Sequence, residues 1–223
     1  LLVRARHVEV QIVGDGSGRV SHLWERECTI QRQHQKLVEI APAPGLDPAL
    51  REKLLLAATR LAAAVRYSSV GTFEFLVGMP PSRGGTTGPA RWAFIEANPR
   101  LQVEHTVTEE VTGLDLVRIQ LELAMGRSLA DLGLGQKDVP PPRGMAMQVR
   151  INLETITPEG DVRPGGGTIS TFEMPSGPGV RVDTFGYAGY RTSPRFDSLL
   201  AKIIVHGRSG TLADVAAKAH RAL

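Results

Sequence analysis

Residues 6–13 alternate apolar and polar positions, residues 19–24 do the same, and glycines 14, 16 and 18 lie between them. A period of two interrupted by turn residues predicts an antiparallel hairpin. The glycine run is no phosphate cradle, since neither Gly-Lys-Ser/Thr nor a helical pattern follows it. Asp47-Pro48 reads as an N-cap and a first-turn proline, and Leu50, Leu54, Leu61 and Val65 among alanines predict an amphipathic helix to about residue 67. Strands follow at 70–77 and 92–103, flanking a Pro/Gly-rich connector at 78–90. A second helix is predicted from Thr106 or Thr108 to about Gly126. Residues 135–143, with three consecutive prolines, form the best domain boundary. Short strands are expected beyond it at 145–153, 168–172, 180–184 and 199–206, and Thr211 then caps a helix still running at Leu223. That uncapped end, and an abrupt opening into a strand near residue 6, predict an incomplete chain.

Composition narrows the function classes. At 223 residues, 42% hydrophobic and 22% charged, the chain is long and apolar enough for a proper core, which excludes a disordered protein. No apolar run reaches membrane-helix length and no secretory pattern opens the sequence. The single cysteine, Cys28, excludes an internal disulfide framework and any cysteine-cluster metal site, so a reducing compartment is expected. A net charge of +3 without a Lys/Arg run argues against a nucleic-acid partner.

The candidate chemistry centres on Phe94 to His105. At period two, Glu96, Asn98, Arg100, Gln102 and Glu104 share one face, and Ile95, Ala97, Pro99, Leu101 and Val103 the other. Pro99 excludes a fully paired central strand there, and a solvated sheet face of mixed charge shows the same alternation. Glu74 falls inside the apolar run 71–76, where an unpaired carboxylate is costly, so it meets an Arg or holds a ligand. Pairing of the two strands brings Glu74, Glu96 and Asn98 together. Three hard oxygen donors suit Mg²⁺, which draws its other ligands from water and nucleotide phosphates. Residues 28–36 place hydrogen-bonding side chains at nearly every position. Taken alone they read as a surface loop, with Lys36 an anion binder. Arg150, between apolar strand positions, needs an ion-pair partner or an anionic ligand. His7 and His22 read as structural histidines, and Cys28 as a small buried side chain.

Several longer stretches are similar to one family. Arg6-His7-Val8-Glu9-Val10-Gln11, Gln31 to Lys36 running into Glu39-Ile40-Ala41-Pro42-Ala43-Pro44, Asn98-Pro99-Arg100-Leu101-Gln102-Val103-Glu104-His105, Ala188-Gly189-Tyr190 and Asp197-Ser198-Leu199-Leu200-Ala201-Lys202 all resemble biotin carboxylase, of the ATP-grasp superfamily. The resemblance covers essentially the whole chain. It implies an α+β fold: an ATP-grasp C-terminal subdomain, a mainly antiparallel sheet with flanking helices at 1–141, continuing into the biotin carboxylase C-terminal domain at 142–223. It also implies an enzyme that phosphorylates bicarbonate with ATP and passes the CO₂ to biotin on a carrier protein. ATP, Mg²⁺ or Mn²⁺, and biotin would be the cofactors. The implied partners are a biotin carboxyl carrier and a carboxyltransferase, a homo-oligomer is one assembly the family allows, and the setting is cytoplasmic, or the mitochondrial matrix in a eukaryote.

By the same resemblance Glu74 and Glu96 match metal-binding carboxylates, with Asn98 completing the metal and phosphate environment. Lys36, Arg100, Gln102 and the Val103 backbone match the bicarbonate group, Glu104 the general base, and Arg150 the residue that stabilises the biotin enolate. His7, Gln31, His34 and Leu76 match the lining of the nucleotide site. Arg100 and Glu104 fall on one extended face, so an ion pair between them is expected to keep Glu104 ionised. The family's N-terminal subdomain and lid have no counterpart here, which predicts little activity for the isolated chain. Gln33 and Ile40 replace an Arg and a Glu of the bacterial single-domain enzymes, Thr106 replaces a Pro, and Pro178 replaces a Phe associated with dimerisation. Ile40 and Thr106 look more like larger carboxylases, among them pyruvate carboxylase and some acyl-CoA carboxylases. Another ATP-grasp ligase, or a non-catalytic scaffold, are the competing readings.

Overall fold

The structure, a computed structural model, describes residues 4–78, 91–208 and 210–223. Strands β1 (Ala5–Asp15) and β2 (Val20–Arg32) form the expected hairpin, whose turn is closed by the Ser17 amide donating to Asp15 Oδ1 at 3.0 Å. β2 runs on through residues read as a loop. Gln33 and His34, with φ of 49° and 66°, turn the chain directly into β3 (Gln35–Ala41). A two-residue connection with both φ positive matches the twist of the strands it joins. The polar residues 28–36 are therefore strand, tight turn and strand, which alternation obscured by a register shift could not reveal.

Helix α1 (Pro48–Ala64) begins as predicted, the Asp47 carboxylate accepting from the Leu50 amide at 2.9 Å. Leu50, Leu54, Ala58 and Ala62 recur on one face and pack on Val8, Val10, Phe73 and Phe75. Replacing Asp47 with Ala is expected to cost about 1 kcal/mol and, at 2–4 °C per kcal/mol, to lower Tm by roughly 3 °C, while Asn retains the cap; thermal unfolding of the three proteins checks this.

β4 (Ser68–Gly78) pairs with β1 and with β5 (Trp92–Asn98). Residues 79–90, most of the predicted connector, lie outside the described residues. The extended segment predicted to reach residue 103 stops at Asn98, because Pro99 has no amide to continue a ladder. The predicted single helix is two, α2 (His105–Thr112) and α3 (Leu116–Ala124). Gly113 ends α2 in the left-handed conformation at φ 74°, and the Asp115 carboxylate restarts the helix by accepting from the Arg118 amide at 2.8 Å.

Beyond the prolines come β6 (Met145–Asn152), the small pairs β7 (Glu154–Ile156) with β8 (Val162–Pro164) and β9 (Gly167–Thr168) with β11 (Arg191–Thr192), then β10 (Val180–Thr184), β12 (Leu199–Gly207) and α4 (Leu212–Ala222). The strand expected over 168–172 is reduced to β9, since the stretch after it finds no ladder partner among the described residues. The principal sheet is eight-stranded and antiparallel, in the order β10-β12-β6-β3-β2-β1-β4-β5, so it runs unbroken past the proline stretch. Val8, Glu27 and Ile40 are successive cross-strand partners, which puts α1, packed on Val8, and α4, packed on Ile40, on one face. Val107 and Val111 of α2, with Ala41, Ala146 and Ile204, cover part of the other. No helix among the described residues is long and apolar enough to cross a membrane.

Candidate active site

Arg26, Glu9, Glu74 and Glu96 are successive cross-strand partners on β2, β1, β4 and β5, one row of charge across four strands. Their side chains rise on the face that carries α2 and α3. Above the Glu74–Glu96 end of the row lies a cavity of about 730 Å³. Every site residue named from the sequence lines it: His7, Gln31, His34 and Leu76; Glu74, Glu96 and Asn98; Lys36, Arg100, Gln102, Val103, Glu104 and Arg150.

Lys36 is the hub. Its ammonium lies 2.6 Å from Glu9, 3.1 Å from Glu74 and 2.5 Å from Glu104. Burial works against its charge, but the carboxylates of Glu9 and Glu104 outweigh that and hold its pKa well above the ordinary lysine range. Glu74 is a buried carboxylate whose Oε1 accepts from Lys36, Asn98 and Gln102, and among the described residues it meets no Arg. Burial would raise its pKa, yet the hydrogen bond from His7 and the charge of Lys36 bring it down from 4.5 to about 2. A depressed carboxyl stabilises the fold above its unfolded value, so this contribution is complete above about pH 4.5 and lost as pH falls towards 2. Gln31 Nε2 donates to His7 Nδ1 at 2.9 Å, placing the ring proton on Nε2, which faces Glu74 at 2.6 Å.

Glu104 corrects the sequence reading. It does not pair with Arg100, whose guanidinium is exposed and donates to the Leu101 carbonyl at 3.3 Å. The strand has ended, the chain turns through residues 99–103, and Glu104 becomes the N-cap of α2, aimed at β3 and β6. Its partners are Lys36 and, at 3.1 Å, Arg150. Burial opposes its ionisation, but Lys36 and Arg26 hold its pKa below the ordinary carboxylate range. Arg150 in turn lies 2.5 Å from the fully buried Glu39, which Gln148 also contacts at 2.9 Å.

The family model described as "Carbamoyl-phosphate synthase L chain, ATP binding domain" matches residues 1–132, and that described as "Biotin carboxylase C-terminal domain" matches residues 148–223. The chain belongs to the biotin carboxylases. It is 48% identical over 221 residues to the mitochondrial pyruvate carboxylase of Homo sapiens, covering 99% of this chain and 18% of that protein. The biotin carboxylase domain of a single-chain bacterial carboxylase superposes over all of this chain and 48% of that one, with a TM-score of 0.87 and 51% identity. The biotin carboxylase domain of the Hydrogenobacter thermophilus 2-oxoglutarate carboxylase, solved as a dimer with MgADP, ADP and bicarbonate, covers all of this chain and 45% of that one, at a TM-score of 0.86 and 37% identity. The biotin carboxylase segment here thus spans about half of the solved domains and under a fifth of the multidomain relative.

Within the biotin carboxylase cavity, some residues escaped the sequence reading. Glu9 and Arg26 lie buried behind its lining residue Lys36: the guanidinium, wholly inaccessible, lies 2.5 Å from Glu9 and donates to Gln11 at 2.7 Å, Thr108 at 2.9 Å and Thr72 at 3.1 Å. A polar residue at every second position of β1 (His7, Glu9, Gln11) was the available signal. Ile95 lines the cavity beside Leu76 because a register shift between Glu74/Glu96 and Phe75/Phe94 leaves it as an extra residue. Such a bulge re-aims a side chain that strict alternation would put on the opposite face. Asp197 and Ser198 also line the wall.

The residues fit a divalent cation. The Asn98 amide nitrogen bridges Glu74 at 2.9 Å and Glu96 at 3.1 Å, a partial positive charge between two carboxylates. Rotation of that amide would present its oxygen instead, completing a hard-oxygen donor set. Gln102 Oε1 is buried and finds no donor among the described residues, an acceptor suited to a protonated anion such as bicarbonate.

Proposed function

We propose that the full-length enzyme uses MgATP and bicarbonate to carboxylate biotin on a carrier protein, as the first half-reaction of a biotin-dependent carboxylase. The observation that carries this is the convergence, in one cavity, of the Glu74–Glu96 pair with the linked series Lys36–Glu104–Arg150. Glu74, Glu96 and Asn98 would hold Mg²⁺ or Mn²⁺, which when bound neutralises phosphate charge and polarises the transferred group. Lys36, Arg100, Gln102 and the Val103 backbone bind bicarbonate. Glu104, kept ionised by Lys36, takes the bicarbonate proton onto a carboxylate oxygen. Arg150, held by Glu39, directs its guanidinium at the ureido oxygen of biotin, where negative charge develops. His7, Gln31, His34 and Leu76 border the nucleotide.

The division into an ATP-grasp part at 1–141 and a biotin carboxylase C-terminal part at 142–223 belongs to the same proposal; family matches that end at 132 and resume at 148 support it. The carrier and carboxyltransferase partners and a cytoplasmic or mitochondrial-matrix setting are part of the proposal as well. The final acceptor, an acyl-CoA such as acetyl- or propionyl-CoA, pyruvate or another acid, is selected outside this segment, and the segment alone is expected to be inactive.

The test is bicarbonate-dependent ATP hydrolysis by the full-length enzyme, stimulated by free biotin. Glu96→Gln and Arg150→Ala are expected to abolish biotin-dependent carboxylation, and normal activity in both would sink the site assignment. Hydrolysis indifferent to bicarbonate and biotin would favour another ATP-grasp ligase.

A further inference from the structure

The family-like stretch from Asp197 to Lys202 ends on a lysine with no place in the chemistry above. Lys202 lies in the middle of β12, between Asp183 of β10 and Arg150 of β6 in cross-strand register, and it is buried. A buried ammonium survives only when it is partnered. Among the described residues its two acceptors are the backbone carbonyl of Val103 at 3.1 Å and Asp183 Oδ2 at 3.3 Å.

Val103 sits in the turn between β5 and α2, where no ladder satisfies the backbone. The Gln102 carbonyl accepts from the His105 amide and the Glu104 carbonyl from the Val107 amide, each at 3.3 Å. Lys202 takes the carbonyl between them. That carbonyl belongs to the peptide leading into Glu104, so fixing it sets how Gln102, Val103 and Glu104 face the cavity. The anchor is itself braced. Arg181 of β10 grips Asp183 with two nitrogens at 2.8 and 3.0 Å, and it also reaches Glu109 of α2 at 2.8 Å. Turn and helix are thus both tied to the β10–β12 edge of the sheet.

We propose that Lys202 is a positioning residue that holds the Gln102–Glu104 turn in its anion-binding geometry. This rests on the bicarbonate reading of that turn. Lys202 is not itself part of the cavity lining; it acts through the Val103 carbonyl.

The experiment is steady-state kinetics of bicarbonate-dependent ATP hydrolysis by full-length Lys202→Met, Lys202→Arg and Asp183→Asn enzymes. Loss of a charge-assisted hydrogen bond predicts a bicarbonate KM about tenfold higher in Lys202→Met, with the ATP KM within about twofold of wild type. Lys202→Arg should recover most of the loss, and Asp183→Asn should raise the bicarbonate KM by roughly threefold. An unchanged bicarbonate KM in folded Lys202→Met, or an equal rise in the ATP KM, overturns the proposal. Should Lys202→Met fail to fold, Asp183→Asn decides: a normal bicarbonate KM there overturns it as well. A wild-type enzyme without bicarbonate-dependent hydrolysis would overturn the functional reading first, and this one with it.

Discussion

Glu104→Gln is expected to lower kcat for bicarbonate-dependent ATP hydrolysis by about 10³-fold while leaving the ATP KM nearly unchanged. The amide keeps the size of the carboxylate, and its one oxygen can still accept from Lys36, which lies 2.5 Å from Glu104, while its NH2 replaces the oxygen that met Arg150 at 3.1 Å. What it cannot do is accept a proton. Because Lys36 and Arg26 hold Glu104 below the ordinary value of 4.5, the wild-type residue is ionised throughout the neutral range. Its contribution to stability is likewise present above that ordinary value and lost as pH falls through the depressed one. Protonation of Glu104 therefore places no acid limb near pH 6–7 in the rate profile. A Gln variant within about tenfold of wild type would remove Glu104 from the role of base.

Arg26→Met is expected to be the most destabilising single change, at about 3–5 kcal/mol. The guanidinium is fully buried, and its loss leaves Glu9 with Lys36 as its remaining cationic neighbour. It also strips a donor from Gln11, Thr72 and Thr108. Three strands and α2 meet at that one side chain. Thermal unfolding should show Tm falling by roughly 6–20 °C, at 2–4 °C per kcal/mol for a chain of this size. Adding Glu9→Gln should return part of the loss, because the uncompensated charge is then gone; strict additivity of the two changes would show that the pair is not coupled.

Much of the frame was legible from local pattern. The hairpin around Asp15, the Asp47 cap and Pro48, the strand bearing Glu74 and the Thr211-capped final helix each follow from a period or a cap with its own physical cause. Three elements were not legible, each for a different reason. At 28–36 a shifted register and a turn of two non-glycine residues with positive φ disguised two strands. At 113–115 the glycine that breaks the helix looks like any tolerated helix glycine until its left-handed φ is seen. At 92–103 alternation was real, but the bulge at Ile95 and the stop at Pro99 changed which way the later side chains point.

The residue types of the site were present in the sequence, and family likeness attached roles to them. From the chain alone come the chemical inventory: paired acids, an anion-binding lysine, an arginine among apolar neighbours, and no cysteine cluster. Only the tertiary structure decided who faces whom. Glu104 meets Lys36 and Arg150 rather than Arg100, Glu9 and Arg26 lie buried behind Lys36, and Lys202 reaches a carbonyl ninety-nine positions away in the chain. The reason is that period and propensity are local, acting within a few residues. The energy of a buried charge is instead set by whatever the sheet brings within a few ångströms, and cross-strand register, not sequence spacing, chooses that neighbour.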